Sequence, residues 1–231
     1  KGIDWTFYRE NTEGEYIVGS HGVGVSDDLC IDFKVTTTQG TERIARMAFE
    51  FAKANGKNRV ECVTKANIVK KTDGRFLDVV HKVAEDYPEI RVEDWYIDIM
   101  TANLINENLQ KDFQVFVLPN LYGDIITDEA AQIQGGMGTA GSANIGNQYA
   151  MFEAVHGSAP RMVEEGIQDR ANPESLMKAA ELMLRHIGYA QKADRLRKAV
   201  DTAAADESLR MTGTKDGSST NDFTEKVLKA L

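Results

Sequence analysis

Asp124 and Asp128 stand four residues apart where the chain turns helical just after an apolar run, so both carboxylates project from one helical face. Two anions held that close repel unless a cation sits between them, and oxygen-only donors suit a hard divalent ion such as Mg²⁺ or Mn²⁺. Acids at helix starts also simply complement the helix dipole, and for a bare D-x-x-x-D that is the commoner reason. Lys65, Asp98 and Asp124 each follow the end of a strand-like run, the position at which an α/β sheet gathers side chains into one crevice. Taken singly, Lys65 reads equally as an exposed lysine and Asp98 as a helix cap. The polar turn Arg9 to Tyr16 offers a guanidinium fork for a carboxylate and a phenol that could give or take a proton. An ordinary surface cation and a half-buried tyrosine are the plain alternatives. His156, ahead of Gly157-Ser158-Ala159-Pro160, could stack on or hydrogen-bond a heterocyclic ligand, or be structural.

Ile3 to Tyr8 alternates as a strand does. Gly-rich then β-branched residues from 17 to 38 read as an arm, with Leu29, Ile31, Phe33 and Val35 on one face and Cys30, Asp32 and Lys34 on the other. Such an arm needs a partner surface, either another chain or its own domain. Its Gly22-Val23-Gly24 is badly placed for a dinucleotide loop, since it does not join a strand to a helix. Thr41 is expected to cap a helix with Ile44, Ala48, Phe51 and Ala52 inward, ended by Asn55-Gly56. A strand over Arg59 to Thr64 follows, then a helix carrying Phe76, Val80, Val83 and Tyr87. A strand over Ile90 to Ile97 leads into a helix reaching Leu109, and the buried strand Phe113 to Leu118 ends at a turn over Asn120 to Gly123 before the helix of Asp124. This strand–helix alternation predicts an α/β sandwich. Beyond Gly135 the residues are small, as in a hinge or a close backbone approach to a ligand. A helix with Pro173 at its first position is expected to turn Leu176, Ala180, Met183, Leu184 and Ile187 inward. Another runs from Gln191 to Asp206, and a last one is capped by Asn221-Asp222 with Phe223, Val227 and Leu228.

With 231 residues, 42% hydrophobic, the chain can bury one substantial core or two small ones. A net charge of −9 argues against nucleic acid or an anionic membrane as partner. No apolar run approaches the roughly 20 residues that span a bilayer. Cys30 and Cys62 alone make neither a disulfide framework nor a thiolate metal cluster, which fits a reducing cytoplasmic setting.

The motifs Tyr8-RENTEGEY-Ile17, Val63-TKANIVKKTDG-Arg75, Tyr96-IDIMTANL-Ile105, Pro119-NLYGDIITDEAAQIQGG-Met137, Phe152-EAVHGSAP-Arg161 and Ala171-Asn172-Pro173 occur here in one order. Together they resemble the metal-dependent β-decarboxylating dehydrogenases, the isocitrate/isopropylmalate dehydrogenase family, over nearly the whole chain. The resemblance implies that family's α/β three-layer sandwich: a small α/β domain over residues 1–135 with a dimerisation arm at about 17–38, then the C-terminal part of the large cofactor-binding domain over 136–231. It implies a homodimer or higher oligomer with shared sites. Asp124 and Asp128, with Asp98 of a partner subunit, would hold Mg²⁺ or Mn²⁺. Arg9 would bind a carboxylate of a small 2-hydroxy acid, Lys65 from the other subunit would assist hydroxyl deprotonation, and Tyr16 would protonate the enol left by decarboxylation. Asn67, Glu153, His156, Gly157, Ser158, Ala159, Pro160, Arg161 and Asn172 would line the NAD or NADP site.

Three features depart from the family pattern. Members carry about a hundred more residues before the Arg9 motif, so the sequence reads as a fragment with negligible turnover alone. Arg161 stands where NAD-using members commonly have Asp; a cation suits a 2′-phosphate, yet the C-terminal Tyr and Arg of NADP-selective relatives have no match in Met211 to Thr220. The RENTEGEY form favours isocitrate, giving 2-oxoglutarate, over 3-isopropylmalate, homoisocitrate or tartrate. A non-catalytic regulatory subunit and a dimerisation fragment are the readings from other classes.

Overall fold

The structure, a computed structural model, describes residues 2–231. It divides into two compact units, residues 1–130 and 131–231.

The first unit contains β1 (Thr6–Arg9), β2 (Val23–Ser26), β3 (Leu29–Ile31), α1 (Thr38–Ala54), β4 (Arg59–Thr64), α2 (Thr72–Ala84), β5 (Arg91–Tyr96), α3 (Ile97–Leu104), β6 (Val115–Leu118) and most of α4 (Asn120–Gln134). Four strands form one sheet in the order β1-β6-β4-β5, every neighbouring pair parallel. β6 lies inside that sheet and is buried at all four positions, which is why it reads as an unbroken apolar run rather than an alternation. On one face, Ala45, Ala48, Phe49 and Ala52 of α1 and Phe76, Val80 and Val83 of α2 pack on Val60, Cys62, Val115 and Val117. The other face is aromatic: Phe7 stacks on Phe116 with centroids 4.4 Å apart, and Trp5 and Phe113 meet Phe116 edge-on.

Thr37 caps α1, not Thr41: Thr37 has extended backbone and its hydroxyl accepts the Gly40 N–H, whereas Thr41 is buried within the first turn and donates to the Thr37 carbonyl. The inward face of α1 uses Ala45 and Phe49, while Ile44 and Phe51 are only partly buried. α3 stops at Leu104, leaving Leu109 in the turns that follow. Asn120 to Gly123 is the first turn of α4 rather than a separate turn, because Pro119 at the strand end supplies a carbonyl that accepts the Gly123 N–H. The arm is a hairpin of β2 and β3 with Val23, Val25, Leu29, Ile31 and Phe33 all exposed, but Lys34 turns inward.

The second unit contains β7 (Gly141–Ile145), β8 (Ala150–Ala154), α5 (Pro160–Glu164), α6 (Glu174–His186), α7 (Ala190–Ala204) and α8 (Thr220–Ala230). Within the small-residue stretch expected to be a hinge or a close approach to a ligand, Gly141–Ile145 forms β7, paired antiparallel with β8. α6 packs on this hairpin through the opposite face to the one expected. Ser175, Lys178 and Ala179 are buried, and Leu176, Met183 and Ile187 are exposed. The hairpin's backbone demands this: Ser175 Oγ donates to the Ala140 carbonyl and accepts the Val155 N–H, and Lys178 Nζ donates to the Thr139 carbonyl. Gly141 comes so close that a Cβ there would lie 2.5 Å from the Ala179 nitrogen. Pro173 precedes α6 rather than opening it. α7 and α8 share a core of Ala199, Val200, Ala203, Phe223 and Val227. Ser219 with Asp222 forms a capping box on α8, and Leu228 is exposed. No helix among the described residues is long and apolar enough to cross a membrane.

Candidate active site

Because all four strands of the sheet are parallel, the residues that follow them collect at its carboxyl edge. Across that edge in strand order stand Arg9 at the end of β1, Asn120 and Asp124 after β6, Lys65 after β4 and Asp98 after β5.

Arg9, Tyr16 and Asp124 come together. Arg9 Nη1 lies 2.8 Å from Asp124 Oδ1, and Arg9 Nε and Nη2 both donate to Asn120 Oδ1 at 2.9 and 2.7 Å. Asn120 is itself fixed, since its Nδ2 donates to the Glu13 carbonyl at 2.9 Å. The guanidinium carbon sits 5.4 Å from the Tyr16 ring centroid, close enough for a cation–π contact. Burial, then a hydrogen bond to Asp124, raise the Tyr16 phenol above its ordinary value, so it keeps its proton through neutral pH. Gly123 makes room for this cluster: a Cβ there would fall 2.5 Å from Arg9 Cγ.

Lys65 and Asp98 form a second pair, Nζ to Oδ1 2.5 Å, with Nζ also 5.8 Å from the Tyr96 ring centroid. That bond holds the Asp98 carboxyl below the usual carboxylate range. Asn67 is exposed in the turn after Lys65.

Asp124 and Asp128 are both exposed on α4. Since α4 begins at Asn120, neither lies in its first turn, and the dipole explanation for them falls away. Their hard oxygen donors fit a divalent cation such as Mg²⁺ or Mn²⁺. One chain supplies an incomplete set, however: among the described residues no three acidic, histidine or cysteine side chains converge as a metal site, so Asp98 does not join Asp124 and Asp128 within a single copy.

In the second unit, the expected cofactor residues lie along one hairpin strand and the loop after it. Glu153 accepts the Asn144 Nδ2–H at 2.6 Å. His156, Gly157, Ser158, Ala159 and Pro160 are exposed, and Ala159 adopts a left-handed φ of 46°, which is costly for any residue with a Cβ. Arg161 pairs with Glu165 one turn along α5 at 2.6 Å while leaving most of its side chain in solvent. Asn172 accepts the Glu174 N–H at 3.0 Å and so also ends the chain's entry into α6.

Sequence reasoning missed Asn120, the residue that orients Arg9. The signal was present, because Asn120 is a polar residue just past a buried strand, like the others singled out. It also missed the buried Asp73 with the partly buried Lys34 and Tyr122 around it, a set that no spacing rule marks.

The family model for isocitrate/isopropylmalate dehydrogenase matches residues 1–227. The chain belongs to this family. Within the isocitrate/isopropylmalate dehydrogenases, the 3-isopropylmalate dehydrogenase of Archaeoglobus fulgidus is 44% identical over 87% of this chain and 59% of that protein. The probable isocitrate dehydrogenase (NAD) subunit alpha, mitochondrial, of Caenorhabditis elegans is 40% identical over 97% of this chain and 61% of that one. The crystal structure of isocitrate dehydrogenase from Methylococcus capsulatus matches with a TM-score of 0.90 at 35% identity, covering 99% of this chain and 67% of the other. The chain thus spans about three fifths of the length of the curated relatives it matches. The names differ in substrate, and one assigns its bearer to the mitochondrion, so family membership alone decides neither substrate nor compartment.

Proposed function

We propose that this chain serves an NAD(P)-dependent dehydrogenase that oxidises and decarboxylates a 2-hydroxy acid, with isocitrate, going to 2-oxoglutarate, as the preferred substrate. The observation that carries the reading is the meeting of Arg9, Tyr16 and Asp124 at the carboxyl edge of a parallel sheet whose next two strand ends bear Lys65 and Asp98. Arg9, oriented by Asn120, offers its planar fork to a substrate carboxylate. Tyr16 holds its proton at neutral pH, the form needed to protonate the enol left by loss of carbon dioxide. Lys65 from a second copy assists removal of the hydroxyl proton, and Asp98 beside it in that copy keeps the ammonium placed. Asp124 and Asp128, with Asp98 from a second copy, would hold Mg²⁺ or Mn²⁺, which when bound lowers the energy of negative charge on the substrate oxygen.

Glu153, His156 to Pro160 and Asn172, with Asn67 from a second copy, would line the nicotinamide cofactor site. The solvent-facing Arg161 suits a 2′-phosphate, and the NAD in the name of one relative keeps both NAD and NADP as cofactors of this reading. A homodimer joined through the β2–β3 arm completes the sites.

Mn²⁺ titration followed by electron paramagnetic resonance tests the reading. Binding by the chain is expected, with a loss of about a hundredfold or more in Asp124→Asn; a chain that binds no Mn²⁺ would leave only a dimerisation fragment. Where turnover is measured, initial rates on isocitrate should exceed those on 3-isopropylmalate, homoisocitrate and tartrate, and a greater rate on 3-isopropylmalate would overturn the substrate preference.

A further inference from the structure

One carboxylate without any exposed surface lies outside the roles assigned above. Asp73, in the first turn of α2, is bound from two other segments of the first unit and acts on a third. Its Oδ2 accepts the Lys65 backbone N–H at 2.7 Å, its Oδ1 lies 2.5 Å from Lys34 Nζ, and burial and then the Asp73 carboxylate raise the Tyr122 phenol of α4 above its ordinary value. Lys34 in turn lies 3.4 Å from Glu15 and 4.4 Å from the Tyr122 ring centroid. A buried carboxylate paired to a buried ammonium adds little net stability, because desolvation offsets the attraction. What such a network does provide is fixed geometry, since every member must keep its partners in place.

The network touches the proposed chemistry at three points. It grips Lys65 itself, Glu15 directly precedes Tyr16, and Tyr122 stands two residues before Asp124. A carboxylate that only complemented the α2 dipole would need none of these partners and no burial.

We propose that Asp73 is a positioning residue, which through the Lys65 N–H and through Lys34 sets where Lys65, serving the site of a second copy, stands relative to Tyr16 and Asp124, which serve the site of its own copy. The catalytic roles of those three rest on the function proposed above; their placement by Asp73 does not. Asp73→Asn keeps the shape and one acceptor but removes the nearer of the two carboxylates that Lys34 faces, leaving it Glu15 alone. In that variant Lys34 is released, the turn bearing Lys65 loosens, and Lys65 leaves Asp98.

The experiment is acylation of the chain's lysines with a water-soluble reagent, read by mass spectrometry, with the loop residue Lys215 as internal reference. In Asp73→Asn, folded by circular dichroism, Lys65 should react at least about threefold faster than in the wild type. Release of Lys34 with unchanged Lys65 would mean that Asp73 merely balances a buried charge, and would overturn the proposal. Should Asp73→Asn fail to fold, Tyr122→Phe removes the hydroxyl on which the same carboxylate acts and leaves the charges intact; a change of about twofold or more at Lys65 is then expected, and no change overturns the proposal. In an assembly that turns over a 2-hydroxy acid, kcat of the variant should fall about tenfold or more with KM within about threefold. A wild type that neither binds Mn²⁺ nor turns over would end the functional reading, while the labelling would still decide the placement.

Discussion

Glu61 sits in the middle of β4 with no exposed surface, and burial pushes its carboxyl up to about 7 even though Arg59 Nε lies 2.6 Å away. Between its ordinary value of 4.5 and about 7 the folded chain therefore keeps a proton that the unfolded chain has released. Its contribution to stability is complete below the lower value and is lost as pH rises through the upper one. Glu61→Gln removes that dependence, so relative to the wild type it should gain about 1 to 3 kcal/mol at pH 8 over what it shows at pH 5. Urea unfolding at both pH values measures this, and an equal difference at both would refute it. Arg59 is not stranded by the change, because its Nη2 also reaches Glu93 at 2.8 Å. The same residue-scale logic explains why Arg9 can serve: it is shaped by Asn120 and by the missing Cβ of Gly123, two residues with no charge to draw attention.

At the scale of elements, ends and faces decide placement. α8 is held at its start by a reciprocal capping box, Ser219 Oγ taking the Asp222 N–H at 3.1 Å and the Asp222 carboxylate taking the Ser219 N–H at 2.8 Å. Ser219→Ala should cost about 1 kcal/mol, measured as a lower denaturation midpoint with an unchanged urea slope. A change of slope instead would mean that α8 detaches independently of its neighbours. α6 shows where periodicity misleads. Its apolar stripe is real in the sequence, but the β7–β8 hairpin offers backbone carbonyls and an N–H that only polar side chains can satisfy, so Ser175 and Lys178 take the inside. α4 shows the converse. Beginning it at Asn120 instead of Asp124 leaves the aspartates' spacing intact and moves them out of the turn where the dipole would have explained them.

For the molecule as a whole, the arm is the feature that a single copy leaves uncovered. Val23, Val25, Leu29, Ile31 and Phe33 expose between 43% and 55% of their surfaces on a two-stranded hairpin, which cannot be stable by itself. Under the dimer reading, Leu29→Asp with Phe33→Asp should shift the chain from dimer to monomer in sedimentation velocity, weakening association about a hundredfold or more. A wild type that sediments as a monomer would refute the arm as an interface. Lys34, at the base of the arm, belongs to the Asp73 network, so the arm's foot and the strand end carrying Lys65 share one buried carboxylate.

Sequence alone determined the strand–helix alternation, the limits of β4, and the placing of Arg9, Lys65, Asp98 and Asp124 after strands. Those follow from local periodicity and turn chemistry, which act between residues close in the chain. Family membership was legible too, because the motifs run in order along nearly its whole length. Which residues hold the others emerged from long-range packing: Asn120 under Arg9, Asp73 under Lys65, the polar face of α6 under the hairpin. Such choices depend on satisfying buried backbone and charged groups brought together from distant segments, and no short-range pattern records them.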